Sequence, residues 1–183
     1  KAVDQTARAG DIIRNLRGFV EKREAGRHPR DLAKIIDEAI ALGLVGSADA
    51  NVKVKIELDR NMPPVLVDQV QIQQVLINLV RNSVEAMEAV PVRRLTVRSI
   101  RVDSVAEVTV ADTGPGLPPE VVERLFQPFT TTKETGMGIG LTICQSIIEA
   151  HDGRIWFEPD PDGGVAFKFQ LPLMAQSAKT HVH

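Results

Sequence analysis

The chain of 183 residues has few aromatic residues, one cysteine, little net charge and no long apolar run. Aromatic residues make up 4% and tyrosine is absent, which argues against a platform for stacking bases. The net charge of −2 lacks the basic excess that a nucleic-acid backbone requires, so we expect no nucleic-acid partner. A single cysteine, Cys144, allows no internal disulfide, and its apolar surroundings in sequence predict a buried thiol.

Membrane and export signals are also missing. No stretch approaches the length that crosses a bilayer, and no signal-peptide pattern opens the chain. The sequence starts at Lys1 rather than at a methionine, so we expect a fragment of a longer protein that could carry membrane or sensor segments upstream. We expect the fragment itself to be soluble and cytoplasmic.

The spacing of apolar residues divides the chain into three parts. Residues 3–24 carry one apolar stripe at helical spacing, and the segment from Gly26 to Pro29 ends that helix. We therefore predict one amphipathic helix in residues 1–27, a domain in residues 28–174 and a disordered polar tail in residues 175–183. With 43% hydrophobic and 25% charged residues, the composition is ordinary for a globular protein.

The middle part alternates between helical and strand patterns. Helices are predicted after Asp31 and Asp68, which are good N-caps, over 118–125 as a short helix, and from Leu141 to Ala150. Strands are predicted at 52–58, 65–67, 95–102, 105–111, 155–157 and 165–171. We expect an α+β fold in which a mixed, mostly antiparallel sheet is covered on one face by three helices.

Two glycine motifs follow predicted elements where a ligand could approach the backbone. Asp112-x-Gly114-x-Gly116 ends a strand, and Gly136-x-Gly138-x-Gly140 directly precedes a helix whose first N–H groups could face an anion. Each motif alone is more often structural than ligand-binding. The P-loop pattern is absent, and the Rossmann pattern needs a glycine where Leu141 stands. The two motifs together indicate a phosphate-bearing ligand in another kind of pocket.

A pair of asparagines on one predicted helix supports this hypothesis. Asn78 and Asn82 are four residues apart and therefore stack on the same face. Asparagine is a mediocre helix former, so two of them in mid-helix suggest that their amide groups are used.

Taken in order, four motifs resemble those of a known family. Asn82, Asp112-x-Gly114-x-Gly116, Phe126-x-Pro128-Phe129 and Gly136-x-Gly138-x-Gly140 are similar to the N, G1, F and G2 boxes of the histidine-kinase ATP-binding domain, in the gyrase, Hsp90, histidine kinase and MutL superfamily. The resemblance covers roughly residues 30–173 and is strongest to oxygen-sensor (FixL-type) and nitrogen-regulation kinases. It implies a two-layer α/β sandwich of the Bergerat type, and ATP and Mg²⁺ as cofactors.

The resemblance also assigns roles to residues. Asp112 is expected to accept a hydrogen bond from the adenine amino group, and Asn82 to bind Mg²⁺ as a catalytic and metal residue. Lys133 is expected near the terminal phosphate as the second catalytic residue, within a lid over residues 127–137. The full predicted nucleotide-binding set is Asn78, Asn82, Asp112, Gly114, Gly116, Phe126, Phe129, Thr132, Lys133, Gly136, Met137, Gly138, Ile139, Gly140 and Leu141.

The implied function is transfer of the γ-phosphoryl group of MgATP to a histidine, for relay to a response regulator receiver domain. The phosphoacceptor histidine is expected on a dimerisation helix missing from this fragment, because the first helix resembles the second helix of that hairpin. None of the four histidines is assigned as the acceptor, and His151 is expected at a helix C-cap with Gly153. The full-length protein is expected to be a homodimer.

Two alternatives stay open at this point: an ATP-hydrolysing member of the superfamily, and a non-catalytic nucleotide-binding or interaction module. Asn78 stands where the hydrolases carry a glutamate that activates water, and an amide cannot accept that proton. At two further places the chain departs from the pattern of the histidine kinases, so the nucleotide contacts made there in the family are not expected here. Glu85-Ala86 stands where many histidine kinases have a basic residue followed by an aromatic residue, and Val165 stands where a threonine often follows a glycine.

Overall fold

The computed structural model describes residues 26–45, 51–128 and 138–175. The predicted amphipathic helix and the polar tail lie outside these residues, apart from Gly26, Arg27 and Ala175. The described helices are α1 (Leu32–Gly43), α2 (Gln69–Ala86), α3 (Pro119–Val122) and α4 (Gly140–Ala150). The strands are β1 (His28–Arg30), β2 (Lys53–Leu58), β3 (Val65–Val67), β4 (Arg94–Val102), β5 (Val105–Asp112), β6 (Arg154–Pro159) and β7 (Val165–Pro172).

The main sheet has five strands in the order β2-β4-β5-β7-β6. β2 runs parallel to β4, and the other three pairs are antiparallel. A tight turn at Asp103, with a φ of 53°, joins β4 to β5 and sets Val102 opposite Val105. The predicted mixed and mostly antiparallel sheet is confirmed.

The strands alternate between a buried and a solvent-facing side. The buried side faces the helices and carries fully buried side chains: Leu95 and Val97 of β4, Val108 and Val110 of β5, and Phe169 of β7. The helices contribute a matching apolar face, with Ile35 and Ile36 of α1, Ile72, Leu76 and Leu79 of α2, and Ile148 of α4. Three long helices therefore cover one face of the sheet, as predicted, and α3 adds a single turn. No helix in the described part of the chain is long and apolar enough to cross a membrane.

Two of the long helices begin at a side-chain cap. The Asp31 carboxylate accepts hydrogen bonds from the amides of Ala33 and Lys34, and Asp68 does the same for Val70 and Gln71. These caps satisfy amides that have no partner within the helix. Both predicted starts are confirmed.

The end of α4 is tied to the start of α2. His151 is the C-cap of α4, as predicted, and is 3% exposed. Its Nδ1 donates to the Ile147 carbonyl oxygen at 2.7 Å, and its Nε2 accepts from the Asp68 amide at 3.1 Å. The two backbone partners hold the imidazole in one orientation between α4 and α2. Arg27 also reaches this corner, because it forms an ion pair with Asp152 at 2.6 Å and donates to the Ala150 carbonyl oxygen.

Two details of the sequence-based assignment were wrong. The segment from Gly26 to Pro29 was expected only to end a helix, whereas His28–Arg30 forms β1 and pairs with β3. A three-residue strand with a central proline shows no alternation in sequence, and only its partner defines it. The helix predicted over 118–125 ends at Val122, and the chain continues in turns that bring Leu125, 7% exposed, into the core.

Candidate functional site

One wall of the site is the face of α2 that carries Asn78 and Asn82. Both asparagines are half-buried, as expected for side chains that border an open space. The Asn78 amide nitrogen donates to Cys144 Sγ of α4 at 3.2 Å, which fixes the direction of the amide. Burial raises the pKa of the Cys144 thiol to about 12, so the sulfur stays protonated at neutral pH. Asn78 is thus held by a neutral sulfur rather than by a charged partner.

Asp112 ends β5 and forms the opposite corner of the site. Its carboxyl is 4% exposed, and its Oδ1 accepts from the Gly114 amide at 2.9 Å. Burial raises the pKa of Asp112, and the charge of Asp160 acts in the same direction. The Gly114 amide, which donates to the carboxylate, opposes this rise, and the nearby Ser83 hydroxyl and Val165 amide also lower the pKa. Asp112 is therefore a desolvated acceptor surrounded by donors.

Glycines pack so closely around Asp112 that a side chain would not fit. A Cβ on Gly114 would lie 2.9 Å from Asp112 Oδ1 and 3.2 Å from the Ala86 Cβ of α2. A Cβ on Gly164 would overlap the Asp112 carbonyl oxygen, and its φ of +81° is in the left-handed region. Gly116, with a φ of +82°, lies next to the Gly164 carbonyl. The turns after β5 and before β7 are thereby held against the C-terminal half of α2.

The start of α4 differs from the starts of α1 and α2. Its N-cap is Ile139, whose side chain makes no capping hydrogen bond. Gly138 precedes it with a φ of 63°, and Gly140 begins the helix. A Cβ on Gly140 would lie 2.7 Å from the Asn78 amide nitrogen, so only glycine lets α4 start this close to the asparagine wall. The first amides of α4 are positioned to meet an anion beside Asn78.

A cavity of about 110 Å³ lies along this contact between α2 and α4. It is lined by Gln74, Val75, Ile77, Asn78, Arg81, Gly140, Ile143, Cys144 and Ile147. A second cavity, of about 210 Å³, lies beside Arg27, Leu66 and His151, and none of the predicted site residues that the structure describes lines it. Of the predicted site residues, Asn78 and Gly140 line the first cavity, while Asp112 and Gly114 form the corner at the end of β5.

Several of the predicted residues that the structure describes lie close to one another. Asn78 meets Gly140, while Ser83, the neighbour of Asn82, meets Asp112. Phe126 packs against the core and accepts a hydrogen bond from the Thr142 hydroxyl at 3.1 Å, and Leu141 also contacts the core. Phe129, Thr132, Lys133, Gly136 and Met137 lie outside the described residues.

Sequence reasoning missed three contributors: Ser83, Gly164 and the Cys144 contact. Serine in mid-helix, directly after Asn82, was the available signal for Ser83. Gly164 gave no signal of its own, since its approach to Asp112 joins residues far apart in sequence. Among the described residues, no group of three or more His, Cys, Asp or Glu could hold a metal ion alone. A cation bound through Asn82 would need ligand oxygens from elsewhere, and phosphates supply such oxygens.

Residues 67–175 match the family described as histidine kinase-, DNA gyrase B- and HSP90-like ATPase. The sensor protein FixL of Bradyrhizobium diazoefficiens is 50% identical over 94% of this chain and 34% of its own length. The C4-dicarboxylate transport sensor protein DctS of Rhodobacter capsulatus is 39% identical over 95% of this chain and 27% of its own length. The chain thus spans about a third or less of these relatives.

Solved structures of similar fold are also histidine kinases. The catalytic domain of histidine kinase ThkA has a TM-score of 0.71 and 36% identity, and the match covers 80% of this chain and 95% of that domain. ThkA in complex with the response regulator protein TrrA gives a TM-score of 0.77 and 31% identity, over 94% of this chain and 49% of that one.

Proposed function

The chain belongs to the family of histidine kinase-, DNA gyrase B- and HSP90-like ATPases, and from this premise we propose that it is the ATP-binding catalytic domain of a sensor histidine kinase. In this proposal it transfers the γ-phosphoryl group of MgATP to a histidine on a dimerisation helix. One observation carries the proposal: α2 joins a buried, donor-lined Asp112 corner to the uncapped start of α4 at Asn78.

The Asp112 corner suits an adenine ring. An ionised carboxylate only accepts hydrogen bonds, so it pairs with the amino group of adenine and repels the carbonyl of guanine. The amides of Gly114 and Val165 hold the carboxylate in one orientation. Gly114 and Gly164 keep the surrounding backbone close, which favours a flat ring over a bulky group. The proposed role of Asp112 is therefore selection of the base.

The other end of the site suits a triphosphate. The first amides of α4 present partial positive charge beside Asn78, whose amide group is held in place by its hydrogen bond to Cys144. Asn82, one turn further along α2, is proposed to give its side-chain oxygen to Mg²⁺, whose other oxygens come from phosphates and water. The bound cation would neutralise charge on the phosphates. Lys133, Thr132 and the residues around them are proposed to complete this end.

The identity of residue 78 favours transfer over hydrolysis. In the proposed step a histidine nitrogen attacks the γ-phosphorus, the bond from phosphorus to the β,γ-bridging oxygen breaks, and ADP leaves. A neutral imidazole nitrogen needs no base to become a nucleophile, whereas a water molecule has to lose a proton. The Asn78 amide cannot accept that proton, and its nitrogen is already committed to Cys144. Positioning and charge neutralisation are then the main contributions of this chain.

The partners follow from the same proposal. ThkA was solved with a response regulator protein, and we propose that a receiver domain likewise takes the phosphoryl group from the protein to which this chain belongs. The phosphoacceptor helix and a second copy of the protein are proposed partners of the segment before Gly26. A cytoplasmic location is proposed for the catalytic domain.

The test combines the chain with a separately produced helical segment that carries the phosphoacceptor histidine, together with γ-labelled ATP and Mg²⁺. We expect acid-labile label on the histidine segment and little free phosphate, and no label with the Asn82→Ala variant. Release of free phosphate without labelled histidine would instead indicate a hydrolase. Absence of ATP binding in calorimetry would indicate an interaction module and would reject the proposal.

A further inference from the structure

Two buried hydroxyl groups in the described part of the chain have no hydrogen-bond partner of ordinary geometry: those of Ser83 and Ser99. Both side chains are 1% exposed. Ser99 lies on the core face of β4, opposite Leu58 and Val108, with no charged group described beside it. Ser83 lies on α2 beside the Asp112 carboxyl. Burial of an unpaired hydroxyl is unfavourable, so the position of Ser83 calls for an explanation.

The usual partner of a helical serine is not used. A serine inside a helix commonly donates to the carbonyl oxygen four residues earlier, and Ser146 of α4 does this with Thr142 at 3.0 Å. Ser83 makes no such bond to Leu79, although α2 is regular at this point. Its hydroxyl lies near the Asp112 carboxyl group instead, and lowers the pKa of that group.

We propose that Ser83 is a positioning residue for base recognition: its hydroxyl donates to the Asp112 carboxylate when adenine is bound and holds the second carboxylate oxygen toward the adenine amino group. This inference rests on the proposed function and adds a residue outside the four family motifs. In the free protein the hydroxyl stays near the carboxyl without a well-formed bond, and the contact tightens when the ligand fixes the carboxylate. Ser83 thus acts through Asp112.

The charges around Asp112 support this arrangement. Burial and the nearby Asp160 both disfavour the ionised carboxylate, which is the form that adenine recognition requires. The amides of Gly114 and Val165 are fixed donors from the backbone, so Ser83 is the side-chain donor at this carboxyl that can be removed by substitution. Removing it leaves the buried carboxylate with one donor fewer and a higher pKa.

The test measures binding of two ligands to the chain by calorimetry: ATP, and purine riboside triphosphate, which lacks the 6-amino group. For Ser83→Ala we expect affinity for ATP to fall about tenfold, the size typical of a lost hydrogen bond to a charged group. Affinity for the analogue should change less than about twofold, because the analogue offers Asp112 no amino group. Ser99→Ala is the matched control, since it removes an equally buried hydroxyl, and it should alter neither affinity.

A second variant separates hydrogen bonding from packing. Ser83→Cys keeps the space filled but is a weak donor, so it should lose ATP affinity nearly as far as Ser83→Ala. As the pH is lowered and Asp112 becomes protonated, the preference for ATP over the analogue should disappear. In Ser83→Ala this loss should occur at a higher pH than in the native chain, because the substitution raises the pKa of Asp112. Equal losses for both ligands, full recovery in Ser83→Cys, or no loss at all would each overturn the inference. Absence of ATP binding by the native chain, or full ATP binding by Asp112→Asn, would instead reject the proposed function.

Discussion

The two ends of the site satisfy their polar groups in opposite ways. At the Asp112 corner, the protein itself surrounds one carboxylate with donors from Gly114, Val165 and Ser83. At the start of α4, the protein adds no side-chain cap, although α1 and α2 are both capped by an aspartate. One end is a fixed acceptor in a closed corner, and the other is a set of amides beside a cavity of about 110 Å³.

This difference matches two recognition problems. A base is neutral and flat, and it is distinguished by the pattern of donors and acceptors on its edge, so its receptor has to be rigid. A triphosphate is highly charged and is bound by amides and cations that the protein leaves available.

Closing the Asp112 corner should have the largest effect. Gly164→Ala would force a Cβ onto the Asp112 carbonyl oxygen at a φ of +81°. We expect the free energy of unfolding to fall by at least about 3 kcal/mol, since left-handed strain adds to displacement of Asp112. ATP binding should be lost, as measured by calorimetry alongside urea denaturation.

The control is the preceding glycine. Gly163 has a φ of +93°, but a Cβ there would meet nothing within 4 Å. Gly163→Ala should therefore cost only the strain, about 1–2 kcal/mol, and should leave ATP affinity nearly unchanged. Equal effects of the two variants would contradict the tight packing of Gly164 on Asp112.

Replacing the Asp112 carboxylate by a neutral amide should weaken ATP binding without lowering stability at pH 7. Asp112→Asn keeps the shape but turns an amide NH₂ toward the adenine amino group, so we expect ATP affinity to fall about 10- to 100-fold. Because burial raises the pKa of Asp112, its ionisation opposes folding: the contribution of this group to stability is greatest below the ordinary pKa of an aspartate and is lost as pH rises through the raised pKa.

Without ligand at pH 7, the midpoint temperature of unfolding of Asp112→Asn should therefore equal or exceed that of the native chain. This advantage should vanish as the pH falls below the ordinary range of an aspartate, as followed by circular dichroism. A variant that is less stable at pH 7 and regains stability in acid would show that the donors around Asp112 outweigh its burial.

At the phosphate end, Gly140→Ala should reduce affinity without unfolding the chain. The added Cβ would lie 2.7 Å from the Asn78 amide nitrogen and would push this side chain away from Cys144. We expect about tenfold weaker ATP binding, the loss of one good hydrogen bond, and a change of less than about 1 kcal/mol in unfolding free energy, since alanine favours a helix. In an Asn78→Ala background the same substitution should cause no further loss of affinity.

Removing the side-chain caps of α1 and α2 should lower stability without changing ATP affinity. Asp68→Ala removes the side-chain acceptor for Val70 and Gln71 and should cost about 1 kcal/mol in urea denaturation. Asp31→Ala is the matched variant at α1 and should behave alike. Neither should change ATP affinity by more than about twofold, because neither cap belongs to the site. A large loss of affinity in either variant would show that the capped starts also serve the ligand.

Much of the fold could be predicted because the relevant signals are local. The alternation in residues 95–102 and 105–111, the apolar spacing of α2, and the caps Asp31 and Asp68 each depend on neighbours in sequence. The family resemblance was confirmed for the same reason, since its motifs are short and ordered along the chain. β1 was missed because it exists only through pairing with β3, and the end of α3 was missed because burial of Leu125 overrides the helical pattern.

Local sequence indicates which residue types could recognise a nucleotide: a carboxylate after a strand, two stacked asparagines and glycines before a helix. Which of these residues meet follows from the tertiary fold. It set Ser83 against Asp112, Gly164 against the same residue, and Cys144 against Asn78, across separations that no local pattern encodes. The physical reason is that these contacts arise when α2 and α4 pack on the sheet, and packing depends on the shape of the whole core.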